Sequence, residues 1–238
     1  MLPSISMIDH ESDPVKAEQW MRNLKVLGLV GFGTALVWGG ATLFKKMEEK
    51  SQTKAFSALA TAESIEDSLL ENSEVLSKDP IEVVAESDEE TQTSYIASLK
   101  SVIAEHSGTS AAYLAALRLG RYHALKGQND EAKIIYSDLR EKSQSSKDSA
   151  LFYAMASEAL GVVLEGQKDF EGALKVYSES LEKKHTNLRP LLLLGKARVE
   201  SALGMKEEAT KSYEKVVSDF PSTSYSQQAQ ALKVKVSL

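Results

Sequence analysis

The sequence predicts an all-α protein with one membrane-spanning helix near its N-terminus. A solenoid of about three helical hairpins follows, closed by a C-terminal capping helix. Three observations carry that prediction. Residues Val26 to Phe44 run without a charged side chain. Ala, Leu, Glu, Lys and Ser dominate the remainder, where apolar residues recur at three- and four-residue spacing and never alternate as in a strand. Past position 110, a small set of residue types returns at intervals of about 40 positions, the mark of stacked helical units. The chain thus reads as four segments: a polar tail at 1–23, a span at 24–45, an amphipathic helix with an acidic loop at 46–92, and the repeats at 93–238.

The apolar run comes first. As a helix it reaches roughly 28 Å, close to a bilayer's hydrocarbon thickness, and in lipid a lone apolar segment satisfies its backbone only as a helix. Arg22 and Lys25 precede it and Lys45 and Lys46 follow, positioned to snorkel into head groups. A cleaved secretory signal would have a basic front and a shorter core. This segment has full spanning length and an acidic preface (Asp9, Glu11, Asp13 and Glu18 against Lys16, Arg22 and Lys25). A buried core helix of a soluble protein would be shorter and amphipathic. The expectation is an uncleaved anchor in contact with lipid through residues 24–45. Gly31, Ala35 and Gly39 stack on one face, a spacing that lets a partner's membrane helix approach closely; small residues are also common in membrane helices for no such reason.

Charge leaves the direction of the span open. Lys16, Arg22 and Lys25 on one flank balance Lys45, Lys46, Lys50 and Lys54 on the other. The absence of cysteine fits either redox compartment.

Directly after the span, Phe56, Leu59, Ala62, Ile65 and Leu69 outline an amphipathic helix. Residues 77–92 break the pattern, with Pro80 and crowded Glu82, Glu86, Asp88, Glu89 and Glu90, and read as a solvated acidic loop. A new helix begins near Thr93, with Tyr95, Ile96, Leu99, Val102 and Ile103 on its apolar side.

Three repeats come next. The first carries Leu119-Gly120, Gly127, Ala132, Tyr136 and Leu139. The second carries Leu160-Gly161, Lys168-Asp169-Phe170, Ala173, Tyr177 and Leu181. The third carries Ala197, Gly204, Ala209, Tyr213, Val216-Val217 and Pro221. Small residues at 120, 161 and 197, and at 132, 173 and 209, allow the two helices of a hairpin to come close. The tyrosines lie one turn further along the second helix and would fill the space between units. Acidic residues at 130–131, 171 and 207–208 suit the positive end of the second helix's dipole. Tyr225, Ala229, Leu232 and Val236 make one stripe of a final capping helix.

These residues resemble tetratricopeptide repeats, with a Leu-Gly pair in the first helix, Ala and Tyr in the second, and a closing proline at Pro221. The first-helix aromatic of that pattern is missing in all three units, and two units lack the proline. The layout of acidic tail, single span, long helix and repeats resembles the ancillary subunit family of the bacterial Sec translocon. That resemblance implies a cytoplasmic N-terminus, repeats in the periplasm of a bacterial inner-membrane protein, and a role in passing exported clients to periplasmic chaperones. The resemblance to tetratricopeptide repeats, in turn, implies groove-facing first-helix positions at Leu117, Arg121, Glu158, Val162, Glu165, Leu194, Arg198 and Ser201. Arg121 and Arg198, equivalent in their repeats, would be able to grip a carboxylate, though exposed arginines are more often simply solvated.

Function classes narrow by elimination. A formal charge of −6 argues against nucleic acid. Without cysteine there is no thiol catalysis, and His10, His106, His123 and His185 show no ligand spacing, with His123 at a repeat core position. No phosphate loop and no Gly-x-Ser-x-Gly elbow occurs. The expectation is a non-enzymatic scaffold without cofactor, metal or small-molecule substrate. Its partners would be translocon subunits, periplasmic chaperones or exported clients. The alternative is an envelope-assembly scaffold linking the inner membrane to outer-membrane or cell-wall machinery.

Overall fold

The structure, a computed structural model, describes residues 48–70, 79–144, 149–183 and 188–237. The expected anchor at 24–45 with its Gly31/Ala35/Gly39 face, the N-terminal tail and His185 lie outside the described residues. No helix among the described residues is long and apolar enough to cross a membrane. The chain divides into two units, Met1–Lys50 and Ser51–Leu238, and the described helices belong almost wholly to the second.

Among the described residues the protein is all-helical: α1 (48–70), α2 (Pro80–Glu86), α3 (Glu89–Glu105), α4 (Ser110–Leu125), α5 (Asn129–Ser143), α6 (Ala150–Gly166), α7 (Phe170–Glu182), α8 (Arg189–Ala202), α9 (Lys206–Asp219) and α10 (Ser224–Ser237). Three hairpins, α4–α5, α6–α7 and α8–α9, stack in sequence. The first helix of each also packs on the first helix of the next, α4 on α6 and α6 on α8, and α10 closes the series against α8 and α9. That arrangement is the one a helical solenoid requires.

One turn geometry serves all three hairpins. Gly127, Lys168 and Gly204 occupy the same turn position in the left-handed region, with φ of 71°, 63° and 78°. The amide after each bonds the carbonyl five residues back: Gln128 to His123, Asp169 to Leu164, and Met205 to Glu200, each at 2.8–2.9 Å. This capping arrangement satisfies carbonyls the helix end would leave orphaned. Lys168 carries a Cβ where its two counterparts carry none, at a local cost of about 1–2 kcal/mol.

In the α4–α5 and α6–α7 hairpins the spacing is set by tyrosine against glycine, while in α8–α9 the corresponding small residue is Ala197. Ala132, Ala173 and Ala209 are fully buried where α5, α7 and α9 meet their partners, and Tyr136, Tyr177 and Tyr213 are buried one turn on. A Cβ on Gly120 would overlap the Tyr136 ring. On Gly161 or on Gly195 of the following hairpin it would overlap the Tyr177 ring. Tyr177 is thus clamped between two glycines, one from its own hairpin and one from the next.

Helices α1 and α3 form a further unit of the same kind, which the spacing in the sequence conceals. Ala55, Leu59 and Ala62 of α1 are buried in one cluster with Tyr95, Leu99 and Val102 of α3 and Leu119 of α4. Ala62 to Tyr95 is 33 positions, against 16 from Gly120 to Tyr136, because the 71–78 segment and α2 are inserted between the helices. The inserted stretch is not simply an acidic loop. Pro80 stands at the first position of α2, where its missing N–H costs nothing, Asp79 caps the helix through the Ile81 amide, and Ile81 and Val84 are buried.

Helix α3 likewise starts at Glu89, capped by Asp88, four residues before the expected Thr93, because Glu89 and Glu90 sit favourably on the first-turn dipole. The buried stripe of α1 runs through Ala55, Leu59, Ala62 and Glu66, leaving Phe56 45% exposed. In α4 the core position belongs to Tyr122, not His123. The imidazole of His123 turns outward to Gln128, 2.6 Å away. The expected capping stripe at Tyr225, Ala229, Leu232 and Val236 faces the α8–α9 core, with Ala229 fully buried.

Two substitutions separate packing from backbone conformation. Gly161→Ala forces the clamped Tyr177 ring aside and is expected to cost about 1–3 kcal/mol. Lys168→Gly relieves the left-handed strain and is expected to gain about 1 kcal/mol, part of the relief being offset by unfolded-state entropy. Urea denaturation of the full-length protein, followed by helical circular dichroism, reads both.

Candidate functional site

Each interhelical tyrosine carries its hydroxyl toward the first-helix layer, and what that hydroxyl meets differs from unit to unit. In the α1–α3 unit, Tyr95 Oη donates to Glu66 Oε1 at 2.6 Å, and Arg118 from α4 brings Nε to 3.3 Å of the same oxygen. In the α6–α7 unit, Tyr177 Oη donates to Glu165 Oε1 at 2.7 Å. Arg198 from α8 grips both Glu165 oxygens, Nε at 3.1 Å and Nη2 at 2.8 Å. Both are Tyr–Glu–Arg triads that join a hairpin to the first helix of the next. Burial, helped by the neighbouring carboxylate, pushes both phenols well above their ordinary range. Burial also raises Glu66 against the hydrogen bond from Tyr95 and the charge of Arg118.

The α4–α5 unit between them lacks the triad. Counting from the interhelical small residue, the position of Glu165 is held here by Ala124, and the position of Arg198 is held in α6 by Val162. Tyr136 therefore makes no hydrogen bond among the described residues, although burial raises its phenol like the others. In place of the triad a cleft of about 320 Å³ opens, lined by Arg121, Ala124 and Leu125 of α4, Tyr136 of α5, and Glu158, Ala159, Val162 and Val163 of α6. Leu125 and Val162 are 44% and 46% exposed, large apolar side chains left in water at its rim.

Charge in the cleft is unevenly committed. Arg121 Nη2 bonds Asp79 Oδ2 at 2.8 Å. Glu158 makes no hydrogen bond or ion pair among the described residues. Burial raises its pKa, a shift that the charges of Arg198 and Arg121 oppose and that of Glu165 reinforces. The cleft thus presents an unpaired carboxylate, a phenol without a partner and two apolar walls.

The expected groove positions divide accordingly. Arg121, Glu158 and Val162 are brought together in the cleft. Glu165 and Arg198 lie next to it but are bound to each other, so Arg198 is not available to grip an outside carboxylate. Arg121 is likewise taken, by Asp79. Leu117 is half-buried against the core around Tyr136 and Tyr177, and Ser201 is half-buried. Leu194 is fully buried beside Tyr213 and is core, not groove surface, because α8 is covered on that side by α9 and α10.

Tyr136, Ala124, Leu125, Ala159 and Val163 are the cleft residues that the repeat pattern did not single out as surface. Tyr136 carries the right signal but reads as filler. What marks it is the residue four positions after its glycine, alanine instead of glutamate. No group of three or more His, Asp or Glu among the described residues is placed to hold a metal.

Residues 191–223, spanning α8, α9 and the turn after them, match the tetratricopeptide repeat family. No curated protein and no solved structure matches the chain. Repeats of this family are units with which proteins bind other proteins, and a helical protein-interaction scaffold is the function that the match supports.

Glu158 should declare itself in the pH dependence of stability. Its folded pKa lies above the ordinary glutamate value, so folding favours the protonated form. That stabilisation is complete below the unfolded pKa and is lost as pH rises through the folded one. Glu158→Gln, neutral throughout, is expected to melt about 2–4 °C above the parent at pH 7. The gap should close as pH falls toward about 4. Melting curves of the two proteins across that range check both the sign and the window.

Proposed function

We propose that this protein is a membrane-anchored scaffold of the bacterial inner membrane, whose repeats bind polypeptides in the α4–α6 cleft as they emerge from the export machinery. The observation that carries the reading is that cleft. There the interhelical tyrosine layer is left open, with apolar walls beside unpaired polar groups. Such a mixture suits an extended chain, which offers both side chains and backbone groups. The uncharged run at 26–44 supplies the anchor, and the resemblance in layout to the translocon's ancillary subunits supports an N-terminus in the cytoplasm with the repeats outside.

A photo-crosslinking side chain at Val162 in living cells is expected to capture translocon subunits, exported polypeptides or periplasmic chaperones. One at Ile134, which is 69% exposed on α5, should not. Adducts from Val162 dominated by barrel-assembly or cell-wall proteins would move the assignment to envelope scaffolding, and the absence of Val162-specific adducts would refute the cleft.

Orientation is measured separately, since the chain has no cysteine of its own. An impermeant thiol reagent on intact cells should label a cysteine placed at Ser237 and spare one at Ser4. The reverse pattern would invert the topology.

A further inference from the structure

The two closed triads show what this scaffold places beneath an interhelical tyrosine: an arginine, supplied by the first helix of the next unit, against a carboxylate. Where the α4–α5 unit meets α6, both ingredients are displaced. The carboxylate is Glu158, from α6 itself, and the residue at the arginine position is Val162. No guanidinium of this chain is paired with Glu158 among the described residues. We propose that the cleft is a specificity pocket for an arginine side chain of a bound, extended polypeptide, whose guanidinium meets Glu158 and Tyr136 as Arg198 meets Glu165. This rests on the reading of the cleft as a polypeptide site and adds which side chain it selects.

Charge and shape agree with that occupant. The charged groups facing Glu158 are Arg198 and Glu165 from α8 and α6, and Arg121 from α4, the last held by Asp79. Three carboxylates thus surround two guanidiniums, both already paired, and the surplus charge is negative and resides on Glu158. A planar guanidinium can take a carboxylate oxygen and a phenol oxygen together, and its aliphatic stem can lie along Val162 and Leu125. Closing the pocket on an arginine would neutralise a carboxylate that the fold holds partly desolvated and unpaired, so the gain is larger than for an exposed pair.

The test uses the full-length protein in detergent and two fluorescent peptides. One is Gly-Ser-Leu-Arg-Leu-Ser-Gly, and the other carries citrulline in place of the arginine, which keeps the shape and removes the charge. The arginine peptide is expected to bind roughly tenfold tighter than its citrulline twin. Glu158→Gln, isosteric and expected to stay folded, should erase that preference. Val162→Arg should erase it as well, by supplying the guanidinium from within the chain, with no loss of thermal stability.

Equal binding of the two peptides, no binding of either, or a preference that survives Glu158→Gln would each overturn the proposal. The wider reading is judged apart from it. If Val162 crosslinks polypeptides in cells while the peptides show no charge preference, the arginine pocket falls and the binding cleft stands. If Val162 captures nothing, both fall together.

Discussion

The middle of this helical stack depends on a tyrosine ring lying where a neighbouring helix has no side chain. The Tyr177 ring sits against the backbone of Gly161 on one side and Gly195 on the other, and either Cβ would collide with it. That contact does two things at once. It fixes the distance between the helices of a hairpin and between successive hairpins, because an aromatic ring is incompressible and packing at native density leaves no slack. It also fixes where the phenol oxygen emerges, since a ring clamped on both faces has little freedom to redirect its hydroxyl. Apolar packing thereby dictates the position of a polar group.

A polar group fixed in a buried layer must find a partner or reach water, and the chain solves this differently in each unit. Tyr95 and Tyr177 close onto Glu66 and Glu165, and each carboxylate is in turn held by an arginine of the next first helix. These triads bridge units at the level of hydrogen bonds as the tyrosines bridge them at the level of packing. The α4–α5 unit keeps the ring and drops the triad. Ala124 leaves no acceptor for Tyr136, and the space that the missing side chains would fill is the cleft. The cleft is therefore a departure from the arrangement of the α1–α3 and α6–α7 units, and the rules of those units describe what would repair it.

Much of this was legible in the residues. The alternation of small residue and tyrosine sixteen positions apart announced the three hairpins, and the left-handed turn position was visible as Gly127 and Gly204. Lys168 obscured that position in the second unit, because nothing in a lysine declares a positive φ; the surrounding geometry imposes it. The α1–α3 unit stayed hidden for a different reason. Its glycine position is Ala62, and the insertion carrying α2 doubles the distance to Tyr95, so no fixed period finds it. Nor did the family-based groove positions reveal that Arg198 was occupied and Leu194 covered. Both facts depend on contacts between α8 and elements far from it in sequence, Glu165 in one case and α10 in the other. Position within a repeat tells which way a side chain leaves its helix. Only the neighbouring units decide whether it is free.

That dependence lets the spaces between units of one stack differ in polarity. Three equivalent positions set the polarity of each interunit space: 117, 158 and 194 hold Leu, Glu and Leu; 121, 162 and 198 hold Arg, Val and Arg; 124, 165 and 201 hold Ala, Glu and Ser. Helix α6 differs from α4 and α8 at all three, and at the first two of them α4 and α8 agree. Introducing a carboxylate at 158 and removing an arginine at 162 leaves the acid one turn from where a guanidinium would meet it within the chain. The tyrosine clamp, being apolar, tolerates that change without loss of spacing. Structure and selectivity are thus borne by different atoms of one layer, the rings holding the helices apart while the residues around the hydroxyls vary. A scaffold built this way can alter what it recognises at 158, 162 or 124 without disturbing what holds it together at 120, 161 or 177.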